Sequence, residues 1–154
     1  MSIETAIEKY LRFSVDILSD VKIWNLGAER FKATVFESSM KHIIKSAGFS
    51  EDVLMQEDDP LCKSFVVALP VTNMTPQIFR TYQVRANYGY DCTIVQAARA
   101  TTATADLFKP VSIKFGGVTE TFVGAGLGYG NPTRLVLEEA EAIFGPSQSV
   151  AYSM

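Results

Sequence analysis

The sequence of 154 residues has one histidine and two cysteines, and each scarcity closes a class of function. Cys62 and Cys92 have no CxxC partner and no Cys/His ligand spacing, so they form neither a disulfide framework nor a zinc site and read as small buried hydrophobes. His42 lies beside Lys41 and Lys45 on the polar side of a helical pattern. Without a second imidazole or a paired acid it reads as a surface residue, not a base or metal ligand. No apolar run approaches the roughly 20 residues of a spanning helix. The N-terminus lacks the basic stretch, apolar core and small-residue cleavage site of a secretion signal. Basic residues are outnumbered, 14 Lys and Arg against 17 Asp and Glu, for a net charge of −3. That balance argues against a dedicated nucleic-acid binder, whose phosphate contacts need a basic surface. Ten glycines, six prolines and 47% hydrophobic residues are ordinary globular usage, and this length fits one domain.

What is present divides into alternating helical and extended patterns. Ser2 can cap a first helix whose Ile3, Ala6, Ile7, Tyr10, Leu11, Ile17, Leu18 and Val21 recur in steps of three and four, a stripe expected to face a core. Residues 22–32, with Trp24, Gly27 and Phe31, read as a connection. Thr34 and Glu37 have capping-box spacing ahead of Phe36, Met40, Ile43, Ile44 and Ala47, and Gly48 ends that second helix. Residues 50–60 gather Glu51, Asp52, Glu57, Asp58 and Asp59 in a solvated loop. SFVVALPV, residues 64–71, reads as a strand covered on both faces, with QIFRTYQV, 77–84, as its neighbour. Thr93 and Gln96 give a second capping box, opening TIVQAARATTA, which Lys109-Pro110 stops. Gly116-Gly117 between two extended runs is the signature of a tight hairpin. The hairpin's second strand runs into a glycine-rich turn, 124–130. Asn131 then caps, and Pro132 opens, a last helix with Leu135, Val136, Ala140, Ile143 and Phe144 inward and Glu138, Glu139 and Glu141 outward. The order is helix, helix, strand, strand, helix, strand, strand, helix, an α/β arrangement.

The strand-to-helix glycine turn is where such a sheet binds or reacts. Its register fails the dinucleotide fingerprint, since Tyr129 and Asn131 stand where a third glycine is needed, and there is no phosphate loop, so a nucleotide enzyme rests on the turn alone. The nearest approach to a nucleophile elbow, Gly48-Phe49-Ser50-Glu51-Asp52, follows a helix and lacks its second glycine. The acids at 57–59 lack the ligand alternation of a calcium loop. Arg80, Tyr82, Arg85, Tyr88 and Tyr90 interleave charge with rings as a single-strand nucleic-acid surface does. The acidic net charge favours a sheet edge with amphipathic side chains instead. The residues by themselves supply no nucleophile, base, metal site or cofactor site.

Three segments carry a more specific signal. AARATTATADLFKPVSI, residues 97–113, resembles the "ARATSAAPTFF-P" helix and turn of patatin-like phospholipases, the fungal ones especially. FVGAGLGYGNP, 122–132, resembles that family's "Y-[IV]-D-G-G-L-G-x-N-N-P" segment, and RLVLEEAEAIFG the helix after it. CKSFVVAL and IFRTYQV are similar to the two strands before the helix. RFKATVFESSMKHIIK and MSIETAIEKYL look like the region just beyond the family's nucleophile.

The resemblance implies an α/β/α acyl hydrolase working on lipid acyl esters through a Ser-Asp dyad, with no cofactor or metal. It also implies departures. The oxyanion turn and G-x-S-x-G elbow would precede Met1, Gly124 stands at the position of the family's catalytic Asp, and Gly130 replaces the first Asn of N-N-P. Gly126, Gly128, Asn131 and Pro132 keep the motif turn. Asp106 is the nearest acid in the ARATS-like turn. The expectation is therefore a partial three-layer patatin-like sheet over residues 1–146, lacking its N-terminal strands and nucleophile helix, followed by a tail, 147–154. Such a chain should be inactive alone, lipid-related in role, cytosolic with contact at a membrane surface, and prone to self-association through an uncovered sheet. The alternative is a non-catalytic module that binds lipid or a protein.

Overall fold

The computed structural model describes residues 2–19, 29–84 and 91–145. Helix α1 (Ile3–Ser19) begins where the Ser2 hydroxyl accepts the Thr5 amide at 3.3 Å, an N-cap as the sequence predicts. Helix α2 (Ala33–Ser46) begins differently. Lys32 is its N-cap residue and no side chain caps it; Thr34 falls inside the first turn, and Glu37 reaches away to Arg99. The Thr34/Glu37 capping box is thus not formed. Helix α3 (Ile94–Thr102) has the box the sequence predicts, with Thr93 Oγ1 accepting from Gln96 N–H and Gln96 Oε1 from Thr93 N–H. It ends at Thr102, well before Lys109-Pro110.

Four strands form one sheet in the order β2-β1-β4-β3, every pairing antiparallel. Strand β1 (Phe65–Pro70) is inside, between β2 (Gln77–Arg80) and β4 (Val118–Gly124), with β3 (Val111–Phe115) outermost. The β3–β4 hairpin turns on Gly116 and Gly117, whose φ of 50° and 93° explain why both are glycine.

The pleat sorts β1 onto two cores. Val66 and Ala68 join Phe79, Ile113 and Phe122 against Ala97 and Ala100 of α3. Phe65, Val67 and Leu69 join Ile78 and Val123 against Ala125, Tyr129 and Leu135, beneath the short α4 (Gly126–Tyr129) and α5 (Thr133–Phe144). The unbroken apolar run SFVVALPV is apolar because both its faces are covered. The uncovered sheet expected from missing strands is not seen at this strand: Val67, Ala68, Leu69 and Pro70 are all buried. The architecture is mixed α/β, with helices on both sides of an antiparallel sheet.

On the α3 side the helices continue outward, α2 packing on α3 and α1 on α2. A third cluster, Ile17, Phe36 and Phe108 with Phe13, Phe31 and Met40, joins α1 and α2 to the segment after α3. Two helices away from the sheet, α1 buries only Ile17, while Ile3, Ile7, Tyr10, Leu11, Val15 and Leu18 stand in solvent. The expectation that its whole stripe faces a core is corrected. Among the described residues no helix is long and apolar enough to cross a membrane. Trp24, Gly27, Arg85, Tyr88, Tyr90 and the tail 147–154 lie outside the described residues.

Candidate functional site

The glycine-rich turn joins β4 to α5, and its first residue is the most constrained. Gly124 is buried, and its amide donates to the Ala103 carbonyl at 2.8 Å. A Cβ placed there would stand 2.8 Å from the Thr101 carbonyl oxygen and 3.0 Å from Thr104 Oγ1. The backbone at the C-terminal end of α3 lies directly on this residue, so the position where the family's Asp is expected has no room for a carboxylate. Downstream, Gly126, Gly128, Asn131 and Pro132 are exposed. Asn131 Oδ1 accepts from the Thr133 amide at 3.1 Å and from its hydroxyl at 2.6 Å, a local turn that launches α5. The helix starts at Thr133 with Pro132 as its N-cap residue, one position later than the sequence predicts.

The turn borders an open pocket of about 630 Å³. Phe65 and Val67 of β1, Thr101 of α3, Tyr129 and Pro132 of the turn and Val136 of α5 line it, together with Lys63 and Ser64. Two regions distant in sequence, the end of α3 and the turn after β4, therefore meet at one concave and mainly apolar surface. Gly128, Asn131 and Tyr129 also border a second pocket, of about 530 Å³, with Arg134 and Glu138.

The strongest electrostatic cluster lies elsewhere on the same side of the sheet. Arg80 Nε and Nη2 donate to the two carboxylate oxygens of Glu139 at 2.5 Å each, and the Tyr82 hydroxyl donates to Glu139 Oε2 at 2.9 Å. The Arg80 hydrogen bonds hold the Glu139 carboxyl below the usual carboxylate range, and the carboxylate in turn raises Arg80. Burial first, then the Glu139 hydrogen bond, pushes the Tyr82 phenol up to about 12. This corrects one reading: Glu139 points inward, not outward. Arg80 lies on the edge strand β2, at a sheet edge as expected, and it and Tyr82 are engaged by α5. One signal was available: Glu139 shares the helical face of Leu135, one turn away.

A second buried cation also escaped sequence reasoning. Arg99 is 1% exposed; its Nε donates to Glu37 Oε1 at 3.2 Å and its Nη2 to the Lys109 carbonyl at 3.0 Å. Its guanidinium lies over the Phe36 and Phe108 rings, 5.8 and 5.6 Å from their centroids. Nη1 finds no partner among the described residues. The only hint in the sequence is a charge inside an alanine-rich run.

The other candidates are placed singly. His42 and the acids 57–59 are exposed. Asp106, at φ 68°, is exposed and accepts the Arg30 amide on its carbonyl. Cys92 is buried, its thiol pushed up to about 12 chiefly by burial, whereas Cys62 is exposed, against the expectation of two buried thiols. No protein-family model matches the chain, and no curated protein matches it in sequence.

Proposed function

We propose that the chain is a member of the patatin-like phospholipases, acyl hydrolases of lipid esters, that binds a lipid acyl group at the glycine-rich turn and does not hydrolyse it with its own residues. One observation carries this reading. The two segments with the most specific resemblance, 97–113 and 122–132, come together where Gly124 meets the end of α3 and border one apolar pocket. An apolar pocket with few polar groups is the form a small-molecule site takes. The absence of turnover follows from the dyad chemistry: a Ser-Asp dyad passes the serine proton to a carboxylate, and Gly124, at that position, has no side chain and is packed against the Thr101 backbone.

Binding and turnover separate in two assays on the purified chain. A fluorescent fatty acid is expected to bind and to be displaced by oleate, with affinity about tenfold lower in Val136→Glu, which sets a charge against the apolar lining. Hydrolysis of para-nitrophenyl butyrate and of phosphatidylcholine is expected to stay at background. Turnover abolished by substituting any residue of this chain would overturn the non-hydrolytic reading. Failure of every acyl probe to bind would overturn the lipid reading.

A further inference from the structure

Helix α1 is 17 residues long, about 25 Å at 1.5 Å per residue. One side presents Phe13 and Ile17 to the α2 side of the molecule, where they pack with Phe36. The side turned away carries Ile3, Ile7, Tyr10, Leu11, Val15 and Leu18, each between 54% and 75% exposed. Their spacing of four, three, one, four and three makes a continuous seam along the helix. Isolated exposed apolar residues are ordinary, but a seam of six is not.

We propose that α1 is a dimerisation helix, its seam docking antiparallel on the same seam of a second copy about a two-fold axis near Leu11. Size and charge select this occupant, and the helix dipole selects its orientation. At on the order of 80 Å² for each large apolar side chain, six give on the order of 500 Å² per copy. Two copies then bury on the order of 1,000 Å², the lower bound of a biological interface and the size of a weak, exchanging dimer. Glu4 and Glu8 border the seam on one side, followed by Arg12, so an antiparallel partner brings its Arg12 beside Glu8, and the contact occurs twice by symmetry. The helix dipole favours antiparallel over parallel apposition. The same glutamates weigh against an anionic membrane as the occupant, because interfacial helices are bordered by Lys and Arg. A face-to-face pair is also closed, so it removes apolar surface without propagating into fibres.

Sedimentation equilibrium of the full chain between about 1 and 200 μM tests this, a range suited to the weak association expected of an interface at the small end. A monomer–dimer equilibrium is expected. Leu11→Glu, at a position 57% exposed, is expected to weaken it more than 100-fold while leaving the thermal melt of the dilute protein unchanged. Val118→Glu, at an equally solvent-facing site on the hairpin, is expected to leave the dimer intact. Glu8→Arg and Arg12→Glu are each expected to weaken it about fivefold, and the double substitution to recover it, as for a pair of exposed ion pairs. A monomer at 200 μM overturns the proposal. So does a dimer indifferent to both Leu11→Glu and Ile7→Glu, or a chain that sediments with phosphatidylcholine vesicles as a monomer.

Discussion

The two sides of the sheet are fastened by different chemistry, and each contains an arginine out of open solvent, partly buried on one side and fully buried on the other. On the α5 side, Arg80 makes two parallel hydrogen bonds to Glu139, and Tyr82 takes a further position on the same carboxylate. On the α3 side, Arg99 is more deeply buried, yet its carboxylate partner Glu37 is 41% exposed and one of its nitrogens is unpaired among the described residues. There the joint is made by close backbone packing: alanines 97 and 100 on β1 and β4, and Gly124 under the end of α3. A satisfied ion pair does the orienting on one side, and the absence of side chains does it on the other. The comparison predicts that completeness of pairing, more than depth of burial, decides what removing such a charge costs.

The largest expected effect tests the packed side. Gly124→Asp, the change that would place a carboxylate where the patatin-like phospholipases it resembles have one, forces a Cβ to within 2.8 Å of a backbone oxygen and buries an unpaired charge beside it. A loss of about 4 kcal/mol is expected, with Gly124→Ala costing about 2 kcal/mol through overpacking alone. Urea denaturation of both variants measures it. If Gly124→Asp folded with stability near wild type, the close approach of α3 to β4 would be wrong.

Next comes the paired side. Glu139→Ala leaves the partly buried Arg80 without its carboxylate and is expected to cost about 3 kcal/mol, while Arg80→Met with Glu139→Leu is expected to recover most of the loss. The same cluster sets two limbs of the pH dependence. Glu139 titrates lower in the folded chain than the unfolded value of about 4.3. Its contribution is therefore complete above that value and is lost as pH falls through the folded one. Tyr82, raised to about 12 by burial, contributes below the unfolded value of about 10 and loses that contribution as pH climbs toward 12. Urea midpoints between pH 3 and 10.5 should fall at both ends, the buried Cys92 thiol, also raised to about 12 from a lower unfolded value, starting the alkaline fall before Tyr82 does. In Glu139→Gln the acid fall should shrink.

A third prediction, of about 1 kcal/mol, contrasts two capping boxes with the same sequence spacing. Thr93→Ala removes a formed N-cap hydrogen bond from α3, and a loss of that size is expected in the midpoint of urea unfolding. Thr34→Ala is expected to change the midpoint by no more than a few tenths, because Lys32 occupies the cap and Thr34 is already helical. This pair also marks where the sequence is legible. The order of helices and strands, the double-faced apolar strand, the hairpin on Gly116-Gly117 and the Thr93 box all follow from local pattern, since each depends on residues within a few positions of one another. The contact between the end of α3 and the glycine turn was readable only as two resembling segments. Nothing in their spacing says that they touch. The errors have a common cause in long-range partners. Glu37 leaves its cap for Arg99, 62 residues away, and Glu139 leaves the solvent face for Arg80, 59 residues away. Helix α1 looks core-facing because amphipathicity reports that a face is apolar and not what covers it.

The smallest expected effect decides whether the comparison of the two arginines is right. Arg99→Met keeps a long flexible side chain against the Phe36 and Phe108 rings and replaces the cation–π contact with a sulfur–aromatic one. It gives up the hydrogen bond to the Lys109 carbonyl and the contact with Glu37, worth about 2 kcal/mol together. It also removes the desolvation cost of a buried guanidinium whose Nη1 is unpaired among the described residues, a relief of about 1 to 3 kcal/mol. The opposing contributions nearly cancel, and the urea midpoint is expected to shift by an amount equivalent to less than about 1 kcal/mol in either direction. If Arg99→Met costs as much as Glu139→Ala although Arg99 Nη1 is unpaired among the described residues, completeness of pairing does not rank the two sides.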